Sequence, residues 1–199
     1  TITDIFEQAG YTIQKKVLNA WDYGVAEKRE RIVIIGIRND ISAEFEYPTP
    51  YKYKPVLRDA LKNVPKSEGA SYPQSKKEVF DLVPPGGCWR DLPEDVARAY
   101  MKGSYNLGGG KTGIARRISW DEPSLTILCS PCMNQTDRCH PDETRPFTIR
   151  ESARIQSFPD TWQFTGSLNS KYKQIGNAVP VNLAKEIGLS IIKVLKEIK

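Results

Sequence analysis

Residues 31–37 read Arg31-Ile32-Val33-Ile34-Ile35-Gly36-Ile37, a β-branched apolar run too short for a helix and of the type that forms a buried strand. Upstream, Tyr11 to Leu18 alternates in the manner of a second strand. Before it, Ile2, Ile5, Phe6 and Ala9 recur at helical spacing, with Gly10 placed as a C-cap. The loop between the strands carries Trp21-Asp-Tyr-Gly-Val25 and the charged run Glu27-Lys-Arg-Glu-Arg31. Helix, strand, loop, strand over residues 1–40 is the edge of an α/β sheet. The chain opens at Thr1 already inside an apolar-periodic segment, and the expectation is that further sequence precedes it.

Past Asp40 the composition shifts. Residues 41–146 are rich in Pro, Gly and Tyr, and their short strand candidates include Ser124 to Cys129. One helix is expected there, from Pro93, a residue suited to a first helical turn, to about Met101. This reads as a loop-rich second domain inserted into the first. Regularity returns over 147–199. Thr148-Ile-Arg-Glu151 is a capping box whose helix should stop before Phe158-Pro159. A final helix follows Pro180, with Leu183, Ala184, Ile187, Ile191, Val194, Leu195 and Ile198 on one face for packing.

The whole chain has 199 residues, 39% hydrophobic and 27% charged, a globular balance. Its +5 charge, 29 Lys and Arg against 24 Asp and Glu, permits a nucleic-acid partner without requiring one. No apolar run approaches the roughly 20 residues of a membrane span, and no secretory signal opens the chain. Cys88, Cys129, Cys132 and Cys139 without such a signal imply free thiols in a reducing, cytoplasmic compartment.

Between Val96 and Trp120 no acidic residue occurs, while Arg98, Lys102, Lys111, Arg116 and Arg117 are cationic. Leu107-Gly-Gly-Gly-Lys-Thr-Gly113 lies inside this stretch. Glycines let backbone amides approach a phosphate, although on these residues alone a solvated loop is the simpler reading. A Walker A loop is excluded, because the earlier glycine and the strand–helix context are missing. Cys129-x-x-Cys132 followed by Cys139-His140 lacks a second knuckle, and adjacent Cys-His rarely ligate together, so no metal is expected. Pro131-Cys132 is rejected as a nucleophile: no Gln follows it. Arg29 and Arg31, two apart along a strand, should point to one side; as residues alone they read as exposed edge arginines.

Three segments together decide the function. Trp21-Asp-Tyr-Gly-Val-Ala-Glu-Lys-Arg-Glu-Arg-Ile-Val-Ile-Ile-Gly36 is similar to the Tyr-Gly-Val-Pro-Gln-x-Arg-x-Arg segment of the DNA cytosine-5 methyltransferases. Arg145-Pro-Phe-Thr-Ile-Arg-Glu-Ser-Ala-Arg-Ile-Gln-Ser-Phe-Pro-Asp160 resembles that family's Thr-x-Arg-Glu-x-Ala-Arg-x-Gln-x-Phe-Pro motif. Tyr172-Lys-Gln-Ile-Gly-Asn-Ala-Val-Pro-Val181 resembles its closing Gln-x-Gly-Asn-(Ser/Ala)-Val motif. Order and spacing also fit, and the resemblance covers essentially the whole chain. Two positions depart from the pattern: Ala26 stands where Pro is usual and Glu27 where Gln is usual, and the Glu is expected to weaken a contact near DNA phosphate. The Phe-x-Gly-x-Gly loop, the Pro-Cys-Gln nucleophile and the Glu-Asn-Val acid are not found in this sequence.

The resemblance implies the C-terminal part of such an enzyme, a split subunit or a truncated form, inactive alone. It implies the edge of a Rossmann-like, S-adenosylmethionine-dependent methyltransferase sheet (1–40), an inserted, mainly β target-recognition domain (41–146), and a scaffold helix with a returning C-terminal helix (147–199). The partners implied are double-stranded DNA and an N-terminal catalytic half, within a restriction-modification system. The family extrudes its cytosine from the duplex; an upstream cysteine attacks C6, an upstream Glu holds N3, and C5 takes the methyl of S-adenosylmethionine. By resemblance Arg31 reaches O2 of that base, with Arg29 beside it. Asn177, Ala178 and Val179 line the cofactor pocket, and Arg150, Glu151 and Arg154 organise the scaffold. Thr126-Ile127 matches the Thr-(Leu/Ile/Val) pair that marks the recognition region. Lys111, Arg116, Arg117, Asn134, Gln135 and Arg138 are the candidate DNA contacts beside Thr126. The competing readings are a stand-alone sequence-specific DNA-binding protein and a degenerate gene remnant.

Overall fold

The computed structural model describes residues 1–107, 113–133 and 137–198. Thr1 caps helix α1 (Ile2–Gln8) through a capping box with Asp4. Gly10, at φ +84°, turns the chain into strand β1 (Tyr11–Asn19) in a conformation that costs a glycine little. β1 runs antiparallel to β3 (Glu30–Arg38), with Tyr11 opposite Arg38 and Asn19 opposite Glu30. A 3₁₀ turn, Ala20–Tyr23, and the short strand β2 (Glu27–Lys28) lie between them.

The expectation that β3 is buried is corrected. One side of the ribbon packs: Leu18, with Val33 against it, joins Tyr23, Val25 and Leu183 in a small core. The other side is open, with Val17, Ile32 and Ile34 at 59%, 60% and 37% exposure. A two-stranded ribbon covered on one face cannot bury both of its faces, whatever its sequence. Arg29 and Arg31 also fail to share a side, since Arg29 is buried and Arg31 exposed. Arg29 lies between β2 and β3, so the regular alternation of a single strand does not carry through both residues.

Residues 41–146 are not mainly β, and they hold more than one helix. Among the described residues there are α2 (Leu57–Leu61), α3 (Gln74–Asp81), α4 (Glu94–Met101) and a single two-residue strand, β4 (Ser124–Leu125), parallel to β2. Helices α2 and α3 are too short to print an apolar period. Past Leu125 the ladder stops because side chains take over the backbone partners of Ile127. Two cores fill this region. Tyr72, Phe80, Trp89, Met101 and Cys139 belong to one. Leu57, Ile118, Ile127 and Phe147 share the other with Ile149, Ile155, Tyr172 and Ile175 of the C-terminal segments.

Thr148 caps α5 (Ile149–Ile155) and Glu151 closes the capping box. The sequence reading assigned no element to α6 (Leu168–Asn177), which Ser167 caps. Helix α7 (Val181–Glu197) starts after Pro180. It packs through Leu183, Ile187 and Val194. Leu189, Ile191, Ile192 and Leu195 of the same helix remain exposed.

Candidate active-site junction

Arg29 is 2% exposed, and its guanidinium joins two distant segments to its own. It donates to Ile127 O at 3.1 Å, to Gly176 O at 2.9 Å and to Ala178 O at 3.1 Å. A planar fork of donors suits three carbonyls converging from different directions. Glu27 sits beside it at 3.8 Å and accepts the Ile127 amide. The expected contact of Glu27 near DNA phosphate is corrected: its side chain is fully buried. Arg31, by contrast, is exposed and makes a hydrogen bond to Glu30 O at 2.6 Å. Of the two arginines, Arg31 is the one whose guanidinium stands at the surface.

The segment after β4 is fastened along the β2 strand. Ser124 N donates to Ala26 O, Thr126 Oγ1 donates to Lys28 O, and Arg29 and Glu27 hold Ile127. Beyond it, the Cys129 thiol donates to Asn177 Oδ1 at 2.9 Å. Asn177 and Val179 are exposed, while Ala178 contributes its carbonyl to Arg29. Residues 26–31, 124–129 and 176–179 thus meet at one place. Below it a cavity of about 20 Å³ is lined by Ile127, Leu128, Arg138 and Tyr172, a volume suited to about one water and not to a base.

The candidate DNA contacts separate. Arg117 is removed from that set: it is 5% exposed and donates to Val83 O, Phe80 O, His140 O, Pro141 O and Thr144 Oγ1. It is a core clamp. Arg116 is half-buried, held by the Glu122 carboxylate at 2.8 and 2.9 Å and by Gly86 O at 2.6 Å. Thr126 spends its hydroxyl on Lys28 O. Arg138 is held more loosely, by Asp137 O at 2.8 Å and Gly113 O at 3.5 Å. Burial lowers its pKa to about 10, which leaves it cationic at neutral pH. Lys111, Asn134 and Gln135 lie outside the described residues.

The scaffold residues form ion pairs and carbonyl clamps. Glu151 receives Arg145 in a two-pronged pair at 2.7 and 2.9 Å. Burial alone would raise the Glu151 pKa, but Arg145 and the Thr148 amide outweigh it, and the carboxyl stays below its ordinary value. Arg154 pairs with Asp160 and donates to Lys62 O. Arg150 donates to Pro159 O and Trp162 O. Sequence reasoning missed Arg145 and Tyr172. The Tyr172 hydroxyl donates to Phe147 O at 2.8 Å and accepts from Ala70 N at 3.0 Å. The signal for Arg145 was its place at the head of the Arg-Pro-Phe-Thr-Ile-Arg-Glu run, within reach of a glutamate six positions on.

The four cysteines are free. Among the described residues no three His, Cys, Asp or Glu side chains gather as metal ligands. Burial raises the Cys132 and Cys139 thiols, the opposite of what an activated nucleophile needs. His140, also buried, accepts the amides of Asp142 and Glu143 at Nδ1. No described helix is long and apolar enough to cross a membrane.

Residues 26–31, 124–129 and 176–179 thus converge on one buried arginine, and comparison with known proteins supplies the family. The model for C-5 cytosine-specific DNA methylases matches residues 1–193, and the chain belongs to that family. It is 59% identical to Type II methyltransferase M.Sau96I of Staphylococcus aureus over 97% of this chain and 46% of the relative. It is 53% identical to Type II methyltransferase M.Eco47II of Escherichia coli over 100% of this chain and 50% of the relative. The chain therefore spans about half the length of these curated relatives. Among solved structures, the methyltransferase EhMeth of Entamoeba histolytica superposes with a TM-score of 0.62 at 15% identity, over 98% of this chain and 57% of that one. At that identity the likeness speaks for the fold.

Proposed function

We propose that this chain is the target-recognition and C-terminal portion of a DNA cytosine-5 methyltransferase of a restriction-modification system, acting on duplex DNA. Residues 41–146 serve as the target-recognition domain. The nucleophile and most of the cofactor pocket come from polypeptide outside the chain. The observation that carries this reading is the junction around Arg29. It ties the segment that follows β4, and the end of α6 carrying Asn177, to the strand that presents Arg31. Relatives named as Type II methyltransferases support the restriction-modification setting.

In this reading Arg31 donates to O2 of the extruded cytosine and stabilises negative charge that builds on the ring after attack at C6. Arg29, wholly engaged with carbonyls, positions that strand and does not touch the base. Arg138 contributes to the DNA-facing side. S-adenosylmethionine supplies an electrophilic methyl group. Asn177 and Val179 fit one wall of its site, because the last residue of α6 and the turn into α7 leave both side chains exposed.

Exposed apolar residues of α1, β3 and α7 support a covering catalytic half. Ile2, Ile5 and Phe6 of α1 are 60%, 67% and 44% exposed, Ile32 is 60% and Leu195 is 60%. Surfaces of this kind mark interaction sites, and they disfavour a stand-alone DNA-binding protein. The test is transfer of labelled methyl to unmethylated duplex DNA, by this chain alone and joined to the N-terminal half of a close relative. No transfer by the chain and clear transfer by the pair is expected. A folded pair that transfers nothing overturns the reading.

A further inference from the structure

Glu27 is a buried acid that the chemistry above does not use. Its side chain has no solvent exposure. One carboxylate oxygen accepts the Ile127 amide, 100 positions away in the chain. The other oxygen, and Arg29 Nε, are both buried without a hydrogen-bond partner. Arg29 takes the carbonyl of the same Ile127 residue at 3.1 Å. The two side chains therefore grip a single residue by its N–H and by its C=O. Arg29 continues to Gly176 O and Ala178 O, and Arg31 stands two residues further along the same segment.

The groups facing Glu27 are known from each side. Arg29 and Arg31 come from its own segment and Arg138 from the segment beyond β4. Across Arg29 lie Cys129 and its partner Asn177. The cations favour the ionised form, but burial outweighs them and pushes the carboxyl up to about 7. A neutral carboxyl still accepts the Ile127 amide through its carbonyl oxygen, and it leaves no under-solvated charge in a dry site. Glutamine, usual here in the family the sequence resembles, has that shape and is neutral at every pH.

We propose that Glu27 is a positioning residue for methyl transfer: with Arg29 it grips the Ile127 peptide by its N–H and its C=O and holds it against the strand carrying Arg31, and a charge on its carboxyl draws water into that dry junction. The inference rests on the methyltransferase reading, and two measurements separate them. The first follows labelled methyl incorporation into unmethylated duplex DNA from pH 6 to 8.5 for the full protein, for Glu27→Gln and for Glu27→Ala. Parent activity relative to Glu27→Gln should fall several-fold toward pH 8.5, while Glu27→Ala should be low throughout. The second follows amide hydrogen exchange of residues 124–129 in this chain, corrected for intrinsic pH dependence. Protection should fall with pH in the parent, stay constant in Glu27→Gln and be lost in Glu27→Ala. A parent-to-Gln activity ratio that does not change with pH overturns the proposal, as does equal protection in all three proteins. If the parent transfers no methyl at all, the functional reading fails, and exchange alone decides whether Glu27 holds the junction.

Discussion

Gly176 packs its α-carbon onto the Leu128–Cys129 peptide so closely that a β-carbon there would overlap the Cys129 amide nitrogen. The obstacle is backbone, which cannot swing aside as a side chain can. Gly176→Ala must therefore push α6 away from the segment beyond β4 and stretch the Arg29 bonds to Gly176 and Ala178. A loss of about 1–3 kcal/mol or more is expected, read as a lower urea midpoint. Unchanged stability would show that the two segments are not in contact.

Arg117 separates core from surface among the arginines. Truncation to Ala leaves several buried carbonyls without donors and should cost about 3 kcal/mol, lowering the thermal midpoint by about 6–12 °C. Arg117→Lys should not restore it, since one ammonium cannot reproduce a planar fork. Measured below the transition, the dependence of DNA binding on salt should match the parent, because a buried guanidinium neutralises no phosphate. A shallower slope would return Arg117 to the DNA-facing set.

Glu27 also sets a pH dependence of stability. Its folded pKa, about 7, lies above the ordinary carboxyl value of 4.5. The stabilisation is therefore fully present below about pH 4.5 and is lost as pH rises through about 7. At one pKa unit per about 1.36 kcal/mol the full effect is at most about 3.4 kcal/mol. Glu27→Gln should accordingly raise the thermal midpoint at pH 8 and change it little at pH 5. Equal gains at both values would exclude titration as the cause.

These contrasts also mark where the sequence was legible. The Thr148 capping box, the α4 start at Pro93 and the α7 start at Pro180 are local events written in neighbouring residues, and they could be read directly. The role of Arg117 could not. A cationic stretch looks the same whether its arginines meet phosphate or buried carbonyls, and those carbonyls come from residues 80, 83 and 140–141. The Ile32-Val33-Ile34-Ile35 run reported correctly that the residues form a strand. What it could not report is that only one face is covered by the described chain. Helices α2, α3 and α6 escaped because short helices in polar surroundings leave little periodicity.

The exposed apolar residues of α1, β3 and α7 predict association. The isolated chain should bind a hydrophobic dye and elute as aggregates or oligomers, and the N-terminal half should suppress both. Leu195→Glu places a charge on the exposed stripe of α7, away from the buried Leu183 and Val194. It should improve solubility of the chain alone and weaken pairing, as light scattering and co-elution would measure. Improved solubility with undiminished pairing would move the covering half to another face.

The sharpest separation lies between Arg29 and Arg31. Arg31 is exposed, and among the described residues its guanidinium donates to the neighbouring Glu30 carbonyl, so Arg31→Ala should leave the thermal midpoint nearly unchanged. In the reassembled enzyme it should lower kcat by about 10²–10³, the usual effect of removing a donor aimed at developing charge. Arg29→Ala leaves the Ile127, Gly176 and Ala178 carbonyls without their donor. It should lower stability and activity together, and a lower temperature or a stabilising osmolyte should recover part of the lost activity. Osmolyte cannot replace a missing donor, so Arg31→Ala should gain nothing from the same treatment. Arg31→Ala with parental turnover, or Arg29→Ala with parental stability, would reverse these assignments.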